Sequence, residues 1–473
     1  MAITSSTTTA LDVPSLVSQL MAVERRPIDK LNTQISSYQA KISSYGTLSS
    51  LVSSFQTASS SLSASLQKLT ATPSDAGALS ATAASTAVPG TYSVNVSQLA
   101  QSQNLITAGQ TSSSTAIGTG TATTITFDFG TISGGTLTNG VYSGAAFTSN
   151  GSGTKSVTID GTNNTLAGIR DAINAAGMGV TATIVNDGSG TPYHLALTSA
   201  NSGVTNSLKI TTSGGDAAID SLLAYDPAGV QNLTQTQAAQ NAALTVNGIA
   251  ITSASNTVSE AIQGVTLTLK NTTATPASLA VERDTTAMNT AAASFVDAYN
   301  ALASQIKSRY AFGDSTKTAG SLAGDGTLRL MQDQLRGIFN TPASGGTLTS
   351  LAQVGIAFQK DGSLQLDSSK LDSAMSANFS DVANLISSST GFATRLEAWA
   401  KSTLGPGGLI ETRTQSLNKY VTSYNAQVDK LENLMTALQK KYTTEYTNLN
   451  LLLSNMNATS TYLTQQLSGS SSK

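Results

Sequence analysis

Apolar residues at the C-terminal end of the chain recur in a strict seven-residue frame. Leu417, Tyr424, Leu431, Leu438 and Leu452 hold one set of positions, and Val421, Val428, Met435, Tyr442, Leu449, Met456 and Leu463 hold the other. As a and d of a heptad they continue for about seven repeats, which predicts a long helix that supercoils against a partner. Glu445, Thr459 and Gln466 fall in the first of these sets. Such polar insertions lower seam strength and favour particular partners or registers. A helix packed inside a globular bundle is the alternative, but a second heptad frame at the opposite end of the chain favours assembly.

At that end Asp12 reads as an N-cap, with Pro14 in the first turn and an apolar stripe of Leu16, Val17, Leu20 and Val23. The stripe ends at Arg25, Arg26 and Pro27. Helix resumes at Ile28, with coiled-coil positions Ile28, Leu31, Ile35, Tyr38 and Ile42, followed by Tyr45, Leu48, Val52, Phe55, Leu62, Leu66 and Leu69. Two successive three-residue steps, from Ile42 to Tyr45 to Leu48, form a stammer with Gly46 inside it, and a domain boundary is expected there. Residues 1–10 are Thr/Ser-rich without periodicity and are expected to be disordered until something binds them.

From Ala71 to about Lys270 the period shifts to short alternating strands, clearest at 91–96, 125–129, 157–159, 180–185 and 195–198. A weak internal repeat relates the segments beginning at Val157 and Leu244. Each is expected to form strand, turn, a short helix capped near Asn164 or Asn256, and a strand from Gly179 or Gly264. Helical spacing returns with Phe295, Tyr299, Leu302 and Ile306, then Leu328, Met331, Leu335, Ile338 and Phe339, around a loop from Gly313 to Gly326. Residues 354–367 read as a hairpin turning at Asp361-Gly362, followed by one helix from Ser368 to about Ser387. Gly405, Gly407 and Gly408, with Pro406, form a hinge before the C-terminal heptads.

The fold class is therefore α+β and multidomain, with long terminal coiled-coil helices, a helical domain formed by both chain ends, and β-rich head domains inserted in the middle. The expected domains are an N-terminal coiled coil over 1–45, a helical domain over 46–70 and 286–408, an inner β domain over 71–130 and 240–285, an outer β head over 131–239, and a C-terminal coiled coil over 409–473.

Composition narrows the function. The 473 residues include no cysteine, and only 11% are charged, against about a quarter in an ordinary domain. That balance suits a bacterial extracellular surface. A net charge of -2 offers no basic stripe for nucleic acid. No apolar run is long enough for a membrane span. The N-terminus lacks the basic and apolar regions of a secretory signal, so export is expected without a cleaved signal peptide.

Five blocks then carry a resemblance. LDVPSLVSQLMAVERRPIDKL at 11–31, GTYSVNVSQLAQSQNL at 90–105, the 244–270 segment, VGIAFQKDGSLQLDSSKL at 354–371 and SNMNATSTYLTQQL at 454–467 together resemble the bacterial flagellar filament cap family, the second hook-associated proteins. The 244–270 block is similar to a short motif shared with flagellins. The resemblance implies a ring homo-oligomer, commonly a pentamer, at the distal filament tip. Its terminal helices would be legs on the filament end, and its β domains a plate beneath which exported flagellin folds. Implied partners are further copies of the chain, flagellin, the hook-filament junction protein and an export chaperone. A flagellin or hook-filament junction subunit remains an alternative, as does an adhesin whose Ser/Thr/Gly-rich head binds host glycans.

Catalytic chemistry is not indicated. The lone His194 lies in a strand, where a structural role is expected. Without cysteine, zinc clusters and thiol nucleophiles are excluded. Asp361, Asp367 and Asp372 lack the spacing of an EF-hand loop, and Asp361 reads as a turn residue. No P-loop or dinucleotide motif is present, and no cofactor is expected. Arg25 and Arg26 read as a solvated helix end or an inter-subunit ion pair. Trp399, the only tryptophan, is expected in the core of the helical domain.

Overall fold

The computed structural model describes residues 11–313 and 318–470. The Thr/Ser-rich residues 1–10 and part of the loop expected after Gly313 lie outside them. The chain divides into two compact units. One holds the residues up to Leu66 together with those from Thr285 onward, and the other holds Gln67–Asp284.

The helical unit opens with α1 (Val13–Glu24) and α2 (Arg26–Ser65). Helix α2 runs unbroken through Gly46, so the stammer does not end it. What changes there is burial: Tyr45, Leu48, Val52, Phe55 and Leu62 all lie in the core, whereas most of the preceding turns face solvent on two sides.

The second unit contains β1 (Leu69–Pro73), β2 (Leu79–Ala83), β3 (Gly90–Gln98), β4 (Asn104–Thr107), β5 (Thr123–Thr138), β6 (Val141–Ser149), β7 (Lys155–Ile159), α3 (Leu166–Ala175), β8 (Val180–Asn186) and β9 (Tyr193–Ser199). It continues with β10 (Ser207–Ser213), α4 (Ala217–Leu223), β11 (Leu233–Gln237), β12 (Ala242–Val246), β13 (Ile249–Ser253), β14 (Thr257–Ile262), β15 (Val265–Leu269) and β16 (Ala277–Arg283). Strands pair antiparallel throughout, in sheets ordered β1-β16-β3-β12-β13, β14-β15-β2, β11-β4-β9-β8, and β10-β5-β6 with β7 also on β5.

Two cores form within this unit. Val94, Val96, Leu244, Val265, Leu267 and Leu279 centre one, and Leu105, Ile125, Phe127, Ile169, Leu195 and Leu208 centre the other. The expected inner-to-outer boundary at 130 falls inside β5, and Leu105 to Phe129 pack in the second core. The crossing lies instead near Gln101, which bridges antiparallel to Gln240 on the return. Within the Gly/Thr-rich stretch around 112–142, alternation buries Ile125 and Phe127.

The repeat is structural only in part. Strand β7, helix α3 and strand β8 follow the expected order, although the cap is Thr165, whose hydroxyl accepts the Gly168 N–H at 2.9 Å. Asn164 instead donates to the Ile117 carbonyl. The segment from Leu244 contains no helix: it forms the hairpins β12–β13 and β14–β15. Asn256 cannot cap, because its amide holds both backbone groups of Ala100, at 2.7 and 2.9 Å.

Back in the helical unit come α5 (Thr285–Tyr310), α6 (Gly326–Asn340), the hairpin β17 (Ile356–Phe358) and β18 (Leu364–Leu366), α7 (Ser368–Ala377), α8 (Phe379–Ser387), α9 (Phe392–Leu404) and the 62-residue α10 (Leu409–Ser470). The single helix expected over 368–387 is two, because Asn378 leaves helical geometry (φ -155) and caps α8 by accepting the Asp381 N–H. The hairpin turns at Asp361 and Gly362, as the sequence indicates. Gly355, ahead of it, sits at φ +89 with the Asp367 carbonyl 2.4 Å from where a Cβ would stand, so only glycine fits.

Candidate assembly surface

Helix α1 starts because Asp12 accepts the Ser15 N–H at 3.2 Å, with Pro14 in the first turn. It stops because Pro27 has no N–H to give. Arg25 keeps right-handed angles, so the interruption lasts one residue. Val13, Val17, Met21 and Ile28 then lie on one face and pack with Met435, flanked by Val428, Leu431, Leu438, Tyr442 and Tyr446 of α10.

Three contacts fix the register. The Leu11 N–H donates to Asn450 Oδ1 at 3.0 Å, Arg25 pairs with Glu432 at 2.5 Å, and Tyr38 stacks on Tyr420 with centroids 5.4 Å apart. Numbers rise on one side as they fall on the other, so the seam is antiparallel and within one chain. Arg25 is therefore an intramolecular partner of Glu432. Of the predicted seam residues, Ile28, Ile35, Leu417 and Met435 are buried, while Leu31, Tyr38, Ile42, Val421, Tyr424, Val428, Leu431, Leu438 and Tyr442 are half-buried.

Past Asn450 the same apolar face continues, but no described helix covers it. Leu449, Leu452, Met456 and Leu463 are 41 to 60% exposed, and Leu467 is 69% exposed. Spacings of three, four and seven keep these residues on one stripe. A groove of about 640 Å³ runs between α1 and α10, with Val17 and Met21 on one side and Thr443 and Thr447 on the other.

At the other end of the seam, α10 is tied to the helical core. Arg413 donates to Asp325 Oδ2 through Nε at 3.1 Å and Nη2 at 2.8 Å. Tyr45 and the Thr327 N–H donate to Oδ1 at 2.7 and 2.9 Å. Burial alone would push the Asp325 carboxyl up, but the hydrogen bonds and the Arg413 charge outweigh it and hold it below the ordinary carboxylate range. Burial and the neighbouring carboxylate push the Tyr45 phenol up. Sequence reasoning missed this cluster: three polar residues separated by 280 and 88 positions share no spacing.

Gly405, Gly407 and Gly408 form the turn from α9 into α10. Gly405 donates to Lys401 and Gly408 to Gly405, both at 2.8 Å, and Gly407 adopts φ +72. Backbone oxygens stand 2.7 Å from a Cβ placed at Gly405 or Gly408.

The residues considered for chemistry take structural places. His194 Nδ1 lies 2.8 Å from the Thr107 carbonyl, and Nε2 lies 3.3 Å from Asp187. Asp361 closes the hairpin turn through Ser363, Asp367 caps α7, and Asp372 accepts from Asn289. Trp399 is buried in the core that Phe55, Phe295 and Leu417 share. Among the described residues, no cluster of His, Cys, Asp and Glu could hold a metal, and no helix is long and apolar enough to cross a membrane.

Comparison with known proteins gives one consistent answer. Two family models match, flagellar hook-associated protein 2 N-terminus over residues 9–103 and C-terminus over 239–458. A third, the flagellin hook IN motif, matches 146–201. That match corrects the assignment of the flagellin-like motif to 244–270, and it falls on the β7–α3–β8 segment. The chain is 36% identical over 482 residues to flagellar hook-associated protein 2 of Escherichia coli strain K12, covering 98% of this chain and 97% of the relative. It is 31% identical to the B-type flagellar hook-associated protein 2 of Pseudomonas aeruginosa, covering 96% and 95%. The crystal structure of the D1-D2-D3 domains of the flagellar cap protein FliD from Escherichia coli superposes with a TM-score of 0.67 at 35% identity, covering 79% of this chain and 99% of that one.

Proposed function

This chain belongs to the flagellar hook-associated protein 2 family, and from that membership we infer how its geometry works at the end of a bacterial flagellar filament. It is a structural protein that caps the distal filament tip, outside the cell, where it promotes polymerisation of exported flagellin and prevents its leakage. The flagellin, hook-filament junction and adhesin readings are not favoured. Copies of the chain oligomerise and sit atop flagellin.

The observation that carries the mechanism is the apolar stripe of α10 from Leu449 to Leu467, which continues a seam that α1 closes only as far as Asn450. Each large apolar side chain is worth about 1.5–3 kcal/mol when fully buried. A stripe of five, partly interrupted by Thr459 and Gln466, therefore holds a leg to an apolar partner yet leaves release possible. Its partners on the filament end are the terminal helices of flagellin. The Gly405 to Gly408 turn is the point about which the leg swings between sites, a movement that releases Arg413 from Asp325 and Leu417 from the helical core. The working assembly is a pentameric ring of subunits divided into coiled-coil leg, helical domain, inner β domain and outer head. An export chaperone covers the α10 stripe before secretion. The hook-filament junction protein is the first surface the cap meets. The chain does no catalysis. Glycan binding by the outer head has no structural support comparable to the stripe.

Immunogold electron microscopy on intact cells, with antibody raised against residues 67–284, tests the placement. Label confined to the distal end is expected; label along the shaft or at the hook would overturn it. Replacing Gly405 and Gly408 by alanine should slow filament growth, and normal growth of that variant would remove the swinging leg.

A further inference from the structure

The hairpin β17–β18 is clamped onto α5. Asn300 Nδ2 donates to the Leu364 carbonyl at 2.9 Å while its Oδ1 accepts the Leu364 N–H at 2.7 Å, and Tyr299 Oη donates to the Gly362 carbonyl at 3.3 Å. This clamp holds Phe358 against two further rings. Tyr299 and Phe339 lie 5.2 Å apart at 78°, Tyr299 and Phe358 5.7 Å apart at 78°, and Phe339 and Phe358 5.2 Å apart at 90°. Three mutually edge-to-face rings make a fixed aromatic box, because each pair is already at its preferred geometry. Beside them opens a pocket of about 440 Å³, within the size range of small ligand sites.

Its rim is cationic. Lys307, Arg336 and Lys360 line it, and none of the three pairs with an acid among the described residues. The single carboxylate in the lining, Asp361, has Oδ1 engaged by the N–H and hydroxyl of Ser363. Phe358 remains 47% exposed although the hairpin holds it in place. The rim thus carries three cations against one carboxylate, Asp361, which feels the Lys307 charge; Arg336 and Lys360 are left in excess, and the Phe358 ring is half open.

We propose that this pocket binds an extended acidic peptide, with an aromatic or large aliphatic side chain packing on the open surface of Phe358 beside Phe339 and the adjoining carboxylates resting on Arg336, Lys360 and Lys307. Arginine and lysine recognise carboxylates through charge-assisted hydrogen bonds, and Arg336 offers a bidentate fork. The apolar side chain supplies affinity, and the flanking charges supply selection. The site uses no residue of the leg seam and requires nothing of the cap reading, so either can fail alone.

Isothermal titration of the full-length chain with acetyl-Ser-Glu-Phe-Glu-Ser-amide tests it. Saturable binding is expected. Replacing both glutamates by glutamine, or the phenylalanine by alanine, should each weaken it about tenfold or more. The exposed substitutions Arg336→Glu and Lys360→Glu should weaken binding about tenfold with an unchanged thermal unfolding midpoint. Phe358→Ala should weaken binding by a similar factor, and binding by this variant at the parent affinity would exclude the box. No saturable binding of the parent peptide overturns the proposal. So does equal binding of the alanine peptide, which would reduce the site to a non-selective cationic patch.

Discussion

Tyr45 Oη donates a 2.7 Å hydrogen bond to Asp325 Oδ1 across 280 residues of sequence. The carboxylate is 2% exposed, and Arg413 at the foot of α10 holds its other oxygen. One acid thus joins the middle of α2, the start of α6 and the start of α10. The leg leaves the helical core at this point.

Removing the charge should be felt throughout the helical unit. Asp325→Asn leaves Arg413 without its partner, and a broken buried pair costs about 3 kcal/mol or more. Because the folded-state carboxyl lies below its ordinary value near 3.9, its stabilisation is fully present above that value and is lost as pH falls through the folded value. Urea unfolding of wild type and Asp325→Asn should therefore differ most above about pH 5, with the difference shrinking only as pH falls below about 4 towards the folded value. A constant difference across that range would show that charge is not the cause.

Arg25 and Glu432 should behave differently, since their side chains are 48 and 41% exposed. A double-mutant cycle with Arg25→Ala and Glu432→Ala should give a coupling of about 0.2–1 kcal/mol that fades in high salt. The pair fixes register more than it stabilises.

Leu417, fully buried between α10 and the helical core, should be costly to truncate. Leu417→Ala is expected to destabilise by about 2–5 kcal/mol, read as a lower urea midpoint without a change of slope.

Hydrogen exchange should divide α10. Amides from Leu417 to Tyr446, covered by α1 and α2, should exchange slowly, while those from Leu451 to Leu467 should exchange close to the rate of fraying helix. Uniform protection to Leu467 in dilute monomer would mean that something covers the stripe.

The triple substitution Leu452→Ser, Met456→Ser and Leu463→Ser touches only exposed side chains, so monomer stability should change by less than about 0.5 kcal/mol at each site. Cells carrying it should secrete flagellin into the medium and grow short filaments. Full-length filaments would show that the stripe is not the docking surface.

Much of this was legible in the chain itself. The heptads of Leu417 to Leu463, the cap at Asp12, the break at Pro27 and the hairpin at Asp361 and Gly362 depend on local spacing and turn chemistry, which a sequence states directly. Five ordered blocks were also enough to reach the family. What the sequence left open was who covers whom. An a/d stripe looks the same whether its partner is another subunit or the chain's own α1 and α2, because apolar periodicity is non-directional. The register of Arg25 on Glu432 and of Leu11 on Asn450 decided that. Asn256 could have capped a helix until Ala100 claimed its amide, and Ile125 to Phe129 belonged to either β core until the Gln101–Gln240 crossing assigned them. The Asp325 cluster and the Phe358 box had no signal at all, since each joins residues whose only relation is the packing that brings them together.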